Sequence, residues 1–325
     1  MQPITPQGIS HPMTNTDRKR IYKMIYITVA DLTFGIKTRK QEAMLQRMAY
    51  SYAPFMETGE PDDRPTIFTV DIDSRITLPD TPPLTRFDYD LTEDSASLRI
   101  YSDCYILSIR HSASGHTFSL RCPMAGDRTN DCTADITIQG IAPPEHILDH
   151  LLILAASVRG IAHGMLLIHA STIVYHGKAV MFLAESGTGK STHSRMWLES
   201  IPGAQLLNDD APALRVNDNG SVTAYGTPWS GKTPCYRNES YPLAAMVRIR
   251  RAPSNEIRRL DTLHSFGAVL PSCLPTLQQE ERMLDRLCDV LSPVVAAVPV
   301  YMLDCLPDHD AARTSCNAIF GTCMP

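Results

Sequence analysis

The chain has 325 residues, 43% apolar and 20% charged, with a formal net charge of −5. That length suits about two globular domains with sizeable cores, and the mild acidic balance argues against a protein that lives on nucleic acid or on an anionic membrane. Nine cysteines, odd in number and without a C-x-x-C pair, argue against a zinc ribbon or a disulfide framework and for free thiols in a reducing cytoplasm.

Residues 1–20 carry Pro3, Pro6, Pro12 and the cluster Asp17-Arg18-Lys19-Arg20, with no apolar stretch of signal-peptide type. A disordered leader is expected there, and whether translation starts at Met1, Met13 or Met24 stays open. From 21 to 143 the texture is that of strands. Ile25–Val29, Thr66–Val70, Leu98–Tyr101, Tyr105–Ile109, Thr117–Leu120 and Asp135–Ile138 are rich in β-branched and aromatic residues between turn residues. One short helix fits Gln41–Tyr52. This β-rich N-terminal domain offers no motif with chemistry attached.

The pattern changes at Pro143-Pro144, which opens a second domain over 144–325. Ile147, Leu148, Leu151, Leu152, Ala155, Val158 and Ile161 recur at helical spacing, so Glu145–His163 is predicted to be a helix. His150, Ser157, Arg159 and His163 interrupt its apolar surface, and that suits burial in protein better than a membrane span. Strands are expected at Met165–Tyr175 and Lys178–Leu183 around the His176-Gly177 turn, then a glycine-rich loop and a helix from Lys190 to Ser200, stopped by Pro202-Gly203. A short strand into Asn208-Asp209-Asp210 and a hairpin, Ala213–Val216 and Val222–Tyr225, follow. The remaining elements are a strand over Ala244–Arg250, a helix over Thr276–Leu291, a strand over Val298–Leu303 and a helix over Asp308–Phe320.

The loop reads Ala184-Glu185-Ser186-Gly187-Thr188-Gly189-Lys190-Ser191-Thr192. A strand that ends in such a turn and opens a helix aims several backbone N–H groups at one point, where the helix dipole adds about half a positive charge. Gly187 and Gly189 let the backbone wrap phosphate oxygens, Lys190 reaches for the outer phosphates, and the Ser191 hydroxyl is a Mg²⁺ ligand. Ala184 stands where the general pattern has its first glycine, a position that alanine fills if its φ is negative. Downstream, Asp209 and Asp210 end a core strand, so one acid can hold Mg²⁺ while the other takes a proton from an attacking hydroxyl. Which of the two is the base is open. His169 lies on the strand expected beside the loop strand and can bond an aspartate or a phosphate. The segment Tyr225–Asn238 holds Trp229, two glycines, two prolines and the cations Lys232 and Arg237. It is expected to fold back over the nucleotide loop, with Lys232 or Arg237 turned to the transferred phosphoryl group.

The order His169, then Ser186-Gly187-Thr188-Gly189-Lys190-Ser191, then Asp209-Asp210 resembles the catalytic domain of bacterial HPr serine kinase/phosphorylase, whose nucleotide loop is related to that of phosphoenolpyruvate carboxykinase. The resemblance covers about Pro144–Pro325, and the Tyr225–Asn238 loop is similar to that of a separate HPr-kinase-like branch, some members of which accompany peptide-modification systems. It implies an α/β (α+β) fold with a P-loop kinase domain, ATP (or, in some relatives, pyrophosphate) as donor, and Mg²⁺. By the same resemblance Glu185–Thr192 bind the nucleotide, Ser191 and Asp209 the metal, one aspartate is the base, and His169 lies beside the γ-phosphate. The expected activity is phosphorylation of a hydroxyl, serine first, of a peptide, protein or small molecule. The expected partners are that acceptor and no nucleic acid or membrane, with self-association open. The competing readings are a nucleotide-binding regulator and a hydrolytic ATPase.

Overall fold

In a computed structural model the described residues are 23–38, 41–57, 66–72, 76–91, 93–124, 133–137, 143–185, 187–231 and 233–321. The expected leader, Ser186 and Lys232 lie outside them. The fold mixes helices with two sheets.

The first sheet is built from β1 (Lys23–Val29), β2 (Leu32–Thr38), β3 (Met56–Glu57), β4 (Thr66–Asp71), β5 (Thr85–Leu91), β6 (Asp94–Ile100), β7 (Cys104–Arg110), β8 (Thr117–Pro123) and β9 (Thr133–Thr137), in the order β3-β1-β2-β4-β9-β8-β7-β6-β5. Helix α1 (Gln41–Met48) follows β2. Ile25, Ile27 and Val29 alternate into the core, and Phe34 stacks on Phe68 with ring centroids 4.8 Å apart. Strands β2 and β5 were not expected from the sequence. In β5 the charges of Thr85-Arg86-Phe87-Asp88-Tyr89-Asp90 mask the alternation, as suits an exposed edge.

Helix α2 (Glu145–Gly160) leads into the second half, and its buried residues Ile147, Leu148, Leu151, Leu152 and Val158 join one core with side chains of both sheets. The second sheet comprises β10 (Met165–Leu167), β11 (Ala170–Tyr175), β12 (Lys178–Leu183), β13 (Gln205–Asn208), β14 (Ala213–Val216), β15 (Val222–Tyr225), β16 (Ser240–Arg251), β17 (Glu256–Arg259) and β18 (Val300–Cys305). Its order is β10-β14-β15-β16-β12-β11-β13, with β18 beside β16 and β17 beside β18. The helices are α3 (Lys190–Ser200), α4 (Thr262–Val269), α5 (Glu281–Ala297) and α6 (His309–Phe320). Along β12, Ala179, Met181 and Leu183 face the core shared with α2, while Val180 and Phe182 face a second core with Trp197 of α3 and Cys316 of α6. Both faces are covered, so the strand reads as an unbroken apolar run.

Two expected boundaries are corrected. The strand expected over Met165–Tyr175 breaks at Ile168-His169, with β10 pairing β14 and β11 pairing β12 and β13. At the break Ile168 N–H goes to Pro212 O, His169 N–H to Ser272 O and Ala170 N–H to Asp210 O, so the chain trades one ladder for another with its donors satisfied. The helix expected from Thr276 begins at Glu281, after a 3₁₀ turn over Pro275–Gln278. Glu280 caps it by accepting the N–H of Met283. The expectation of free thiols is also adjusted: Cys316 is disulfide-bonded, while Cys104, Cys122, Cys235, Cys273, Cys288 and Cys305 are free. Such a bond depends on Cα approach in the fold, which spacing does not reveal. Among the described residues no helix is long and apolar enough to cross a membrane.

Candidate active site

The loop leaves β12 at Ala184, whose φ is not positive, so alanine fits the first position without strain. Gly187 and Gly189 have φ of +75° and +128°, and a Cβ at either would meet nothing within 4 Å. These glycines serve the backbone turn, with open space in front of it. Helix α3 then starts at Lys190 after Gly189, which has no side chain to cap its first N–H groups. Ser191 is exposed in that first turn and Thr192 lies behind it, partly covered.

Lys190 opens helix α3. It is buried, and its Nζ donates to Ala184 O at 3.1 Å and lies 2.9 Å from His169 Nε2. The other ring nitrogen, Nδ1, lies 3.0 Å from Asp210 Oδ1. An ammonium can only donate, so Nε2 accepts and the ring proton sits on Nδ1, facing the carboxylate. Burial holds the Lys190 pKa below its usual value and nearby Arg248 adds to that, while Asp210 and Asp209 oppose it.

Antiparallel pairing of β11 with β13 sets this meeting. Thr172 stands opposite Asn208, so the residues before Thr172 run beside those after Asn208, and His169 arrives at Asp210. Asn208 fixes the turn: its Oδ1 accepts the N–H groups of Asp210 and Ala211, and its Nδ2 donates to Thr227 and Trp229 O. Asp209 is turned the other way and is buried. Its Oδ2 accepts the Thr233 hydroxyl at 2.6 Å, and its Oδ1 has no hydrogen-bond partner among the described residues.

The Tyr225–Asn238 segment does fold back, but over the acid pair. A Cβ on Gly231 (φ +42°) would lie 3.0 Å from Asp210 Cβ, and Ser230 Oγ accepts the Asp209 N–H. Arg237 does not join the group. Its guanidinium donates to Leu206 O and Gln205 Oε1 and pairs with Glu239 at 2.6 Å. The cations at the loop come instead from β16, which runs parallel to β12 with Arg248 opposite Leu183. Arg248 donates to Ser272 Oγ and Ala268 O and is attracted by Glu185. Arg251 donates to the carbonyls of Gly187 and Thr188. Neither was expected from the sequence; the signal for them was the basic run Arg248-Ile249-Arg250-Arg251 that ends an apolar strand.

Three cavities surround the group. One of about 420 Å³ lies along the loop and α3, between Gly187–Gly189, Thr192, His193, Met196, Arg251 and the Cys305–Pro307 segment. A second of about 450 Å³ runs past Glu185, Gly187, Thr188, Arg248 and Arg250. The third, about 290 Å³, has His169 and Asp210 in its wall, together with α2, the Pro271–Pro275 turn, Leu167, Ile168 and Ala211. The first two have small-molecule size.

No protein-family model matches the chain, and no curated protein matches it by sequence. Among solved structures it is similar to the HPr(Ser) kinase/phosphatase from Coxiella burnetii, at 13% identity over 45% of this chain and 88% of that one, with a TM-score of 0.26.

Proposed function

We propose that the chain is an ATP- and Mg²⁺-dependent phosphotransferase of HPr-kinase-like type that phosphorylates a hydroxyl, serine first, of a peptide, protein or small molecule. The observation that carries this reading is the chain Lys190–His169–Asp210 at the mouth of the glycine-rich loop. It sets a phosphate-binding cation and a proton acceptor on either side of one imidazole.

The residues present fit the two groups that this chemistry needs. Phosphates would lie against the N–H groups of the loop and the start of α3, with Lys190, Arg248 and Arg251 around them. A phosphate oxygen competes well for Lys190, because a charge-assisted bond outweighs those to a carbonyl and a neutral imidazole nitrogen. The nucleoside would extend along the 420 Å³ cavity. Ser191 and the unpartnered Oδ1 of Asp209 would hold Mg²⁺, which would neutralise charge on the phosphates.

In the transfer itself the acceptor oxygen attacks the γ-phosphorus, the bond to the β–γ bridging oxygen breaks, and ADP takes that electron pair. The hydroxyl proton passes to Asp210, kept as the acceptor by its bond with His169 Nδ1–H. The acceptor enters from the 290 Å³ cavity, where His169 and Asp210 are exposed to it. A cytoplasmic setting, where ATP and Mg²⁺ are plentiful, belongs to this reading.

The test uses γ-labelled ATP with the purified chain, Mg²⁺, free serine and fractionated cell extract. Label in an acceptor supports transfer. Release of free phosphate with no labelled acceptor would assign a hydrolase, and nucleotide binding without turnover a regulator.

A further inference from the structure

We propose a second cation site, separate from the phosphate loop, in which Asp94, His111 and His146 bind a divalent transition metal of the Zn²⁺ class. Asp94 opens β6, His111 directly follows β7, and His146 lies in the first turn of α2. One ligand atom from each lies within 4.8 Å of the other two. Short side-chain movements close that triangle on one ion, since zinc bonds to nitrogen and carboxylate oxygen are about 2.0–2.2 Å.

The local bonding suits such an ion. Asp94 is buried, and its partners are the Ser112 N–H at 2.9 Å and His146 Nε2 at 2.8 Å. Neither partner is a fixed charge, so a divalent cation would complete the neutralisation of a carboxylate already withdrawn from water. His111 Nδ1 is engaged by Ser114 Oγ at 2.8 Å, which fixes that ring and leaves Nε2 for a ligand bond. The cluster borders a cavity of about 520 Å³ that also takes in Glu93 and His150, with room for further ligands or water. Two imidazoles and one carboxylate select zinc, cobalt, nickel or ferrous iron over Mg²⁺, which prefers oxygen alone. The two cation sites therefore differ in chemistry as well as in place.

The site has a structural consequence. Asp94 opens one strand of the first sheet, His111 directly follows another, and His146 lies in the helix that enters the second half, so the ion would fasten α2 to that sheet. His150, one turn along α2, borders this cavity and also the one containing His169 and Asp210.

The experiment is calorimetric titration of ZnCl₂ into EDTA-treated full-length protein in phosphate-free buffer, joined to zinc X-ray absorption of the loaded wild type. One equivalent should bind through a nitrogen and oxygen shell containing two imidazoles. His111→Ala and His146→Ala should each weaken binding at least about tenfold; the metal-free melting temperature should stay unchanged in His111→Ala, whose side chain is not buried, and fall in His146→Ala, which takes a partner from the buried Asp94 carboxylate. The proposal is overturned by absence of binding, by affinity unchanged in both variants, or by sulfur in the zinc shell, which would place the ion on cysteines. The absorption result decides the matter even if a variant fails to fold.

Discussion

Asp209 is buried and gives one carboxylate oxygen to the Thr233 hydroxyl, whereas Asp210 is half-buried and faces the Nδ1 of His169. This difference divides the roles that their sequence left joined. Asp210→Asn is expected to keep nucleotide affinity and lower transfer by about 10²–10⁴-fold, the usual contribution of a general base. Asp209→Asn retains an oxygen for Thr233 but loses the charge offered to Mg²⁺, so its rate should be recovered in part at higher Mg²⁺. Rate against Mg²⁺ concentration for both variants separates the two, and identical curves would refute the division. Lys190→Ala should weaken MgATP binding at least about tenfold, from the loss of a charge-assisted contact of about 1.5–3 kcal/mol. Because Lys190 is buried, the variant leaves a small void. Lys190→Met, of similar volume, is the companion that keeps the fold while losing the charge. Undiminished affinity in both, measured by calorimetry, would remove the loop from the site.

The loop between β15 and β16 meets the acid pair with its backbone at Gly231 and with the hydroxyls of Ser230 and Thr233. Gly231, with φ of +42°, brings the chain against Asp210 closely enough that an added Cβ would sit 3.0 Å from Asp210 Cβ and 3.3 Å from Asp209 O. Gly231→Ala is therefore expected to displace Asp210 from His169 and reduce transfer at least about tenfold, since a shift of about 1 Å can cost far more. Nucleotide affinity, which the proposed function assigns to the loop before α3, should stay as it was; a parallel loss of both would show that the segment supports the whole site. What could be read in the sequence at this scale was what is locally encoded. The apolar run before the glycines, the Asn217–Gly220 hairpin turn, the β-branched and aromatic residues of β7 and the alternation of β8 each carry their own conformational signal. The break at His169 has none, because Met165–Tyr175 contains no glycine, proline, asparagine or aspartate and the interruption is imposed by Pro212, Ser272 and Asp210 accepting its N–H groups. The two arginines beside the loop were hidden for a similar reason: the parallel register of β12 and β16, set by the fold, brings them there. The burial of Lys190 is likewise a consequence of the fold, which brings His169, at the break before β11, and the Ala184 carbonyl to its ammonium.

Across the whole molecule, one phenol ties three distant segments together. Tyr52, just after α1, donates its hydroxyl to Asp149 of α2 at 2.6 Å and accepts the indole N–H of Trp229 at 2.8 Å. Trp229 belongs to the loop that covers the acid pair, so the joint links the first sheet, the helix between the sheets and the candidate site. Its ionisable member is Asp149. Burial raises the pKa of that carboxyl to about 7, opposed by the Tyr52 bond and reinforced by Glu145 and Asp210. A carboxyl whose folded pKa lies above its unfolded value of about 3.9 binds its proton more tightly in the folded chain. Its contribution to stability is complete below about pH 4 and is lost as pH rises through about 7. Asp149→Asn keeps an oxygen to accept the Tyr52 hydroxyl and has no charge to bury. The variant should therefore gain stability relative to wild type as pH rises from 5 to 7, by at most about 1.4 kcal/mol per unit, and the difference should level off above that. Urea unfolding of both proteins at several pH values measures it. A difference that is flat across that window would mean that Asp149 is already ionised in the folded protein, and the joint would then have no titrating member near neutral pH.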